Sequence, residues 1–244
     1  MNATYIPQET ESLKMTILES IRHKTLLKYI ETPSLNDHQL FYLLLPKLNG
    51  EQWDDNTTIA ATTVGIVHAS LAEHDKIKAL NATSKSQQLT VLSGDYYSGR
   101  YYEILAHANN IPLIHKISEG IVSRCEQEIT VYHYENRSLS DWINSLAIID
   151  TVLIQRFYEV YQYDVYIPIM KEALTIQRLK HEIALTEAGQ QTLFSLMMQK
   201  SIGSASFPDT IQHEIKSRTD KLQELVEASS LEEALKQAIL QRVS

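Results

Sequence analysis

The sequence predicts an all-α protein, and three features lead to that prediction. Glycine and proline are sparse, seven and six in 244 residues, so long stretches contain no helix breaker. Apolar residues recur at intervals of three and four, as they do on one face of a helix. Hydrophobic residues make up 43% of the chain, enough for a substantial core. We therefore predict a helical bundle with one domain over residues 1–244.

The predicted helices follow in order from this periodicity and from the residues that begin or end a helix. Pro33 ends the first helix, and Ser34 is placed to cap the second, which ends at Pro46. The carboxylate pair Asp54 and Asp55 stands just before helix three, so we interpret it as a cap and not as a catalytic pair. The predicted helices cover residues 9–31, 34–45, 57–80, 89–107 and 111–135.

The second half continues in the same way. Ser138 with Asp141 three residues later predicts the start of helix six. The segment YQYDVYIP, ending at Pro168, breaks that helix and has a short alternation typical of extended chain. Gly189 is a predicted joint within residues 169–199, and Ser230 is a predicted cap of the last helix. The helices of this half cover residues 138–162, 169–199 (one or two helices) and two segments within 209–243.

Composition limits the classes of function. The net charge of −8 argues against a nucleic-acid partner, because no basic surplus is available to neutralise phosphates. No apolar run approaches the roughly 18 residues of a membrane helix, so no membrane anchor is expected. The single cysteine, Cys125, is consistent with a reducing cytoplasm. It lies on an apolar stripe of spacing four that starts at Leu113, and we predict that it is buried and inert.

The most informative stretch consists of predicted helices three and four, residues 64–106. Helix three is apolar and becomes polar at Glu73, His74, Asp75 and Lys76. No phosphate-binding glycine loop and no zinc-type cluster occur in the sequence. A histidine on a mostly apolar helix, such as His68, is usually a core residue. Individually, these residues predict no catalytic site.

Helix four has aromatic side chains on more than one face. Gly94 and Ser98 are four apart, so they lie on one face and permit a second helix to approach closely. Tyr97 and Tyr101 follow one side of the helix, whereas Tyr96 and Tyr102 point elsewhere. A second aromatic face indicates a protein partner, because tyrosine is enriched at interfaces.

The two helices together resemble the trans-prenyltransferases, the polyprenyl diphosphate synthases. In that family His-x-x-Ser-Leu leads into an Asp-Asp-x-x-Asp motif, and the next helix begins with Leu-x-Gly-Asp-Tyr/Phe. The resemblance extends over residues 60–130 and implies the isoprenoid synthase fold. The matching residues are His68, Ser70 and Leu71 in the first helix, Leu92, Gly94, Asp95 and Tyr96 in the second, and Cys125 to Glu128 in helix five.

The chain departs from this family at the metal motif. The Asp-Asp-x-x-Asp positions are occupied by His74 to Lys78, so an imidazole and an ammonium stand where the family has Mg²⁺-binding carboxylates. Mg²⁺ requires oxygen ligands in a strict octahedron. The second aspartate-rich motif has no counterpart, because Asp150 stands alone. The resemblance therefore implies no catalytic residue and no metal in this chain, with degenerate motif positions at His74, Asp75 and Lys78.

The tyrosine-rich DYYSGRYYEILA is most similar to the small subunits of two-component heptaprenyl diphosphate synthases. This resemblance implies a heterodimer with a catalytic large subunit that carries both aspartate-rich motifs and Mg²⁺. The small subunit would support activity and set product length in the synthesis of the menaquinone side chain. The candidate interface residues are Gly94, Asp95, Tyr96, Tyr97, Ser98 and Tyr101.

Two alternatives remain open at this point. The first is an active, divergent terpenoid synthase, with Glu73, Asp75, Glu126 and Glu128 as candidate metal ligands. The second is a helical carrier of apolar ligands with a central cavity.

Overall fold

The computed structural model describes residues 5–77, 84–133 and 137–244. These residues form ten α-helices and no strand, which confirms the predicted all-helical class. Three short 3₁₀ turns occur, at 26–28, 130–132 and 164–166. The helices are α1 (Tyr5–Ser20), α2 (Asp37–Leu48), α3 (Asp55–Asp75), α4 (Lys85–His107), α5 (Ile111–Ile129), α6 (Leu139–Tyr161), α7 (Ile167–Glu187), α8 (Leu193–Ile202), α9 (Phe207–Ala228) and α10 (Glu233–Val243).

The chain divides into two compact units. The first comprises Met1–Ser118 and Glu159–Gln162, and the second comprises Glu119–Tyr158 and Tyr163–Ser244. In the first unit α3 and α4 form the most extensive helix pair, and α1 packs on α2 and α3. In the second unit α7 packs along α9, and α10 contacts both. The prediction of a single domain over 1–244 is not tested by this division and stays a prediction.

None of the helices in the described ranges is both long enough and apolar enough to cross a membrane.

α3 begins at the cap that the sequence predicts. The Asp54 carboxylate accepts hydrogen bonds from Thr57 N at 2.7 Å and from Thr57 Oγ1 at 2.6 Å. The Thr57 hydroxyl, followed by the backbone N–H, lowers the pKa of Asp54 because both bonds favour the ionised carboxylate. The interpretation of Asp54 as a structural cap is confirmed.

α3 is buried along most of its length, and Gly65 lies at its contact with α1. A Cβ added at Gly65 would overlap the side chain of Ile17, which is fully buried. The glycine thus permits the two helices to pack at a distance that any side chain would increase.

The Gly65→Ala variant is expected to lower the free energy of unfolding by about 1–3 kcal/mol, because overpacking a core displaces its neighbours. The matched control is Gly99→Ala on α4, where an added Cβ meets no atom within 4 Å. That control is expected to be neutral or to stabilise by up to about 1 kcal/mol, since alanine is the better helix former. Urea unfolding of both variants measures the difference, and equal responses would contradict this packing.

The predicted first helix, 9–31, is too long. α1 ends at Ser20, where Arg100 Nε donates to the Ser20 carbonyl at 3.1 Å. The chain then turns, and His23 Nδ1 accepts a hydrogen bond from Leu26 N at 3.2 Å. The helix therefore ends where a side chain of α4 satisfies one of its last carbonyls.

The second helix begins and ends later than predicted. Its cap is Asn36, whose Oδ1 accepts from His38 N at 2.9 Å, and not Ser34. The helix passes through Pro46 and ends at Leu48.

The prediction that Cys125 is buried is wrong, because its side chain is exposed. Four residues turn a helix by about 400°, so a stripe of spacing four drifts by about 40° at each step. The buried positions of α5 instead alternate between spacings of four and three, at Leu113, Ile117, Gly120 and Arg124.

In the C-terminal half the structure confirms two of the sequence predictions and contradicts two others. Ser138 N and Oγ both donate to Asp141 Oδ2, as predicted for the start of α6. Gly189, at φ +73°, separates α7 from α8. The YQYDVYIP segment breaks the helix as predicted, but it does so with a 3₁₀ turn at Asp164–Tyr166 and not with extended chain. Ser230 does not cap α10, which begins at Glu233 without a side-chain cap.

Candidate functional site

The face of α4 that bears Gly94 and Ser98 packs against α3 of the same chain. Ser70 Oγ donates to the Gly94 carbonyl at 2.8 Å and lies 2.9 Å from Ser98 Oγ. A Cβ added at Gly94 would lie 2.6 Å from His74 Nε2. The sequence predicts the close approach of a second helix correctly, but the helix that approaches these two residues is α3 and not a partner's.

The polar end of α3 makes an ion pair and further polar contacts within the first unit. Glu73 is 2% exposed, and its carboxylate accepts from Lys76 Nζ at 2.5 Å and from Ser93 Oγ at 3.4 Å. His74 Nε2 lies 3.6 Å from Asp95 Oδ1. Glu73 and His74 at this end of the helix therefore contact α4, through Ser93 and Asp95.

The residues at the degenerate metal motif do not fit a magnesium site. His74 faces Asp95 and offers nitrogen, whereas Mg²⁺ is held by oxygen ligands. Asp75 is exposed, and Lys78 lies outside the described residues. Across residues 5–77, 84–133 and 137–244, no group of three or more His, Cys, Asp or Glu residues is placed to hold a metal ion. That the chain binds no magnesium stays a prediction.

The carboxylates considered for the alternative, an active terpenoid synthase, do not form a metal site among the described residues either. Glu73 pairs with Lys76, and Glu128 Oε1 pairs with Arg124 Nη2 at 2.8 Å. Glu126 is exposed. Nothing in the described part of the chain favours an active terpenoid synthase that uses these carboxylates.

The tyrosines of α4 differ sharply in exposure. Tyr97 is 3% exposed, Tyr96 and Tyr101 are half-buried, and Tyr102 is 56% exposed. Tyr96 makes edge-on ring contacts with Tyr97 at 5.9 Å and with His23 at 5.1 Å between centroids. Gly94 and Tyr97 therefore offer almost no surface to a partner, and the predicted interface stays a prediction for the more exposed candidates.

The environment of Tyr97 opposes its ionisation. Burial, and then the charges of Glu73 and Tyr96, raise the pKa of the Tyr97 phenol from 10.0 to about 12. As pH rises, the unfolded chain therefore releases this proton before the folded chain does. Folding stability falls over the window from pH 10 to pH 12 as a result.

The expected loss over that window from Tyr97 alone is about 1–3 kcal/mol, since one pKa unit corresponds to about 1.4 kcal/mol. Tyr97→Phe is expected to reduce the alkaline slope of stability, whereas Tyr102→Phe, at an exposed position, is expected to keep it. Urea unfolding at pH 9 and pH 11 measures the slope. Identical slopes in the two variants would contradict the assignment.

The outer face of α4 carries large exposed side chains that the predicted interface set omits. Leu92 is 55% and Tyr102 is 56% exposed, with the exposed Asp95 and Gly99 between them at helical spacing. We call Leu92, Asp95, Gly99 and Tyr102 the α4 outer face. The sequence could have identified this face, because its residues recur at intervals of three and four, as the buried residues on the other side of α4 do.

α5 carries a second exposed apolar surface. Val122 is 55% and Ile129 is 52% exposed, and Cys125 lies between them. Tyr132, in the 3₁₀ turn that follows, is 69% exposed. We call these four residues the α5 strip. A run of exposed apolar side chains on one helix face is typical of an interaction surface.

The fold is that of the isoprenoid synthases. A heptaprenyl diphosphate synthase from Staphylococcus aureus is similar over 100% of this chain and 97% of its own, with a TM-score of 0.71 and 14% identity. A geranylgeranyl pyrophosphate synthase from Lactobacillus brevis has a TM-score of 0.65 and 12% identity, over 98% of this chain and 95% of its own. A polyprenyl synthase from Caulobacter crescentus has a TM-score of 0.66 and 13% identity, over 99% of this chain and 96% of its own. At these identities the likeness concerns the fold alone.

The family follows from the sequence match. The model of the family described as heptaprenyl diphosphate synthase (HEPPP synthase) subunit 1 matches residues 23–229, and the chain belongs to this family. The heptaprenyl diphosphate synthase component 1 of Geobacillus stearothermophilus is 26% identical over 135 residues. That match covers 55% of this chain and 61% of the relative, so the chain spans less than two thirds of the relative's length.

Proposed function

We propose that this chain is the non-catalytic, regulatory small subunit of a heterodimeric long-chain trans-polyprenyl diphosphate synthase. One observation carries the proposal. At the first metal motif the described residues pair with each other, Glu73 with Lys76 and His74 with Asp95, and leave no set of carboxylates for Mg²⁺. Membership of the subunit 1 family supports the same conclusion.

The physical reason is the charge that develops on the leaving diphosphate. Metal ions provide the main stabilisation of such charge in a transition state. A motif that places an imidazole beside a carboxylate does not hold such metal ions, so it provides no comparable stabilisation of the diphosphate charge. The catalytic large subunit would supply the Mg²⁺ and the reacting residues.

The partner would dock on the exposed apolar surfaces of this chain. The α4 outer face and the α5 strip each expose large side chains at helical spacing, and tyrosine and other apolar residues are favoured in the core of an interface. We include Tyr102 and Leu92 in the proposed interface beside Asp95, Tyr96 and Tyr101. Gly94, Tyr97 and Ser98 would act indirectly, by positioning α4 on α3.

The finer parts of the proposal concern the product and its use. Apolar side chains of α3 or α4 would line or cap the tunnel for the growing prenyl chain and so set its length. The product would be the C35 heptaprenyl diphosphate for the menaquinone side chain, made in the cytoplasm.

The experiment is co-expression with an aspartate-rich prenyl synthase of the same organism, followed by size-exclusion chromatography and a prenyl-transfer assay. Co-elution is expected, with heptaprenyl diphosphate formed only when both chains are present. Transferase activity of this chain alone would overturn the division of labour. A Mg²⁺ titration of the isolated chain with a diphosphate analogue completes the test, because tight metal-dependent binding would favour an active synthase.

A further inference from the structure

The first unit contains a cavity that the proposed subunit role does not use. It has a volume of about 250 Å³ and lies between α1, the turn at 26–28 and the inner side of α4. Tyr97 forms its wall on the α4 side. The rest of the wall is mainly apolar, contributed by Met15, Leu18, Ile21, Leu26, Leu27 and Pro33.

The size of the cavity suits a short apolar chain. A cavity of about 150 Å³ in another protein stays dry and accepts benzene, which has six carbon atoms. By that scale, about 250 Å³ accommodates a chain of about ten carbons. Met15 and Leu27 line the cavity and are 48% and 44% exposed, so a bound chain would cover apolar surface that now faces water.

The polar residues of the cavity lie next to a basic turn. Arg22 and His23 line it, and Lys24 and Lys28 follow along the same turn. Within the described ranges, Arg22, Lys24 and Lys28 make no ion pair. Glu19 also lines the cavity and is its acidic group. The cluster is basic in a chain whose net charge is −8, and an arginine is the side chain best shaped to hold a phosphate.

Contacts on both sides hold the basic turn in place. Arg100 Nε binds the Ser20 carbonyl at 3.1 Å, just before the turn. The His23 ring packs edge-on against Tyr96, at 5.1 Å between centroids. A site that is already formed loses less entropy when a ligand binds.

We propose that this cavity binds a single phosphorylated amphiphile, with an apolar chain of about ten carbons inside and its phosphate on Arg22. The apolar wall accounts for the chain and the basic turn for the head group. The site belongs to this chain alone and requires neither a metal nor a catalytic partner. It is therefore independent of the proposed subunit role, and failure of one leaves the other standing.

The test uses the full chain in EDTA, with decyl phosphate as the probe, by isothermal titration calorimetry below the micelle concentration. Saturable binding of one molecule per chain is expected. Arg22→Ala is expected to weaken the affinity for decyl phosphate about tenfold or more, because it removes a hydrogen bond to a charged group. Leu18→Trp, which fills the cavity, is expected to weaken it similarly. If Leu18→Trp does not fold, Leu27→Ser tests the apolar wall instead. It changes an exposed residue of that wall and is also expected to weaken binding.

The controls distinguish the site from other sources of binding. Lys200→Ala removes an exposed cation from the second unit and is expected to leave affinity unchanged. Inorganic phosphate and 1-decanol, which supply head and chain separately, are expected to bind much more weakly. Binding to phosphatidylglycerol vesicles but not to monomeric decyl phosphate would overturn the proposal, as would affinity unchanged by Arg22→Ala and both wall variants.

Discussion

The Ile129→Glu variant is expected to raise the Kd for the proposed catalytic subunit by about 100-fold or more and to abolish heptaprenyl diphosphate synthesis by the proposed pair. Ile129 is 52% exposed in the middle of the α5 strip, between Cys125 and Tyr132. In a docked interface the new carboxylate would be buried without a partner. An unpaired buried charge costs several kcal/mol, and about 1.4 kcal/mol corresponds to each tenfold in Kd.

The matched control is Gln199→Glu, which adds the same charge at an exposed position of α8. Association is measured by surface plasmon resonance, and folding of each variant by circular dichroism and urea unfolding. Both variants are expected to fold as the parent chain does, because both positions face water. Unchanged affinity for Ile129→Glu, with Tyr102→Glu on the α4 outer face also without effect, would remove both surfaces from the interface.

The Arg178→Met variant is expected to lower the free energy of unfolding by about 3–5 kcal/mol. Glu182 on α7 is fully buried, and its carboxylate accepts from Arg178 Nε at 2.9 Å and from the Thr192 hydroxyl. Arg178 Nη1 also lies 3.6 Å from Asp150 Oδ1. Removing the guanidinium leaves the buried carboxylate with only a hydroxyl, and an uncompensated buried charge is strongly destabilising.

The double variant Arg178→Met, Glu182→Met separates this cause from simple loss of packing. Replacing both members of a buried ion pair by apolar residues is often neutral, so the double variant is expected to recover most of the lost stability. Urea unfolding of the parent, both single variants and the double variant gives a complete cycle. Additive effects would show that Arg178 does not act through Glu182.

The predictions that the sequence supported best rest on local chemistry. Asp54 caps α3 and Ser138 pairs with Asp141 because a capping side chain binds N–H groups only two or three residues away. Gly189 marks a joint because its backbone adopts a left-handed conformation. The altered metal motif was equally visible, since the identity of its residues is a property of the sequence.

Several features of the site depend on residues that are distant in the sequence. At the end of α1 the Ser20 carbonyl accepts a hydrogen bond from Arg100, eighty positions later. The small face at Gly94 and Ser98 could have received a partner or another helix of the chain, and Ser70 decides between them. Tyr97 lies beside Glu73 at the end of α3, which no helical periodicity could indicate.

The sequence by itself determined the helical class, the starts of α3 and α6, and the replacement of carboxylates at the metal motif, because these depend on side-chain identity and on neighbours within one helical turn. The tertiary structure decided which stripes are buried. It placed Tyr97 in a cavity wall, exposed Tyr102 and Ile129, and paired His74 with Asp95. Burial depends on which helix packs against which face, and that packing is set by contacts between residues far apart in the chain.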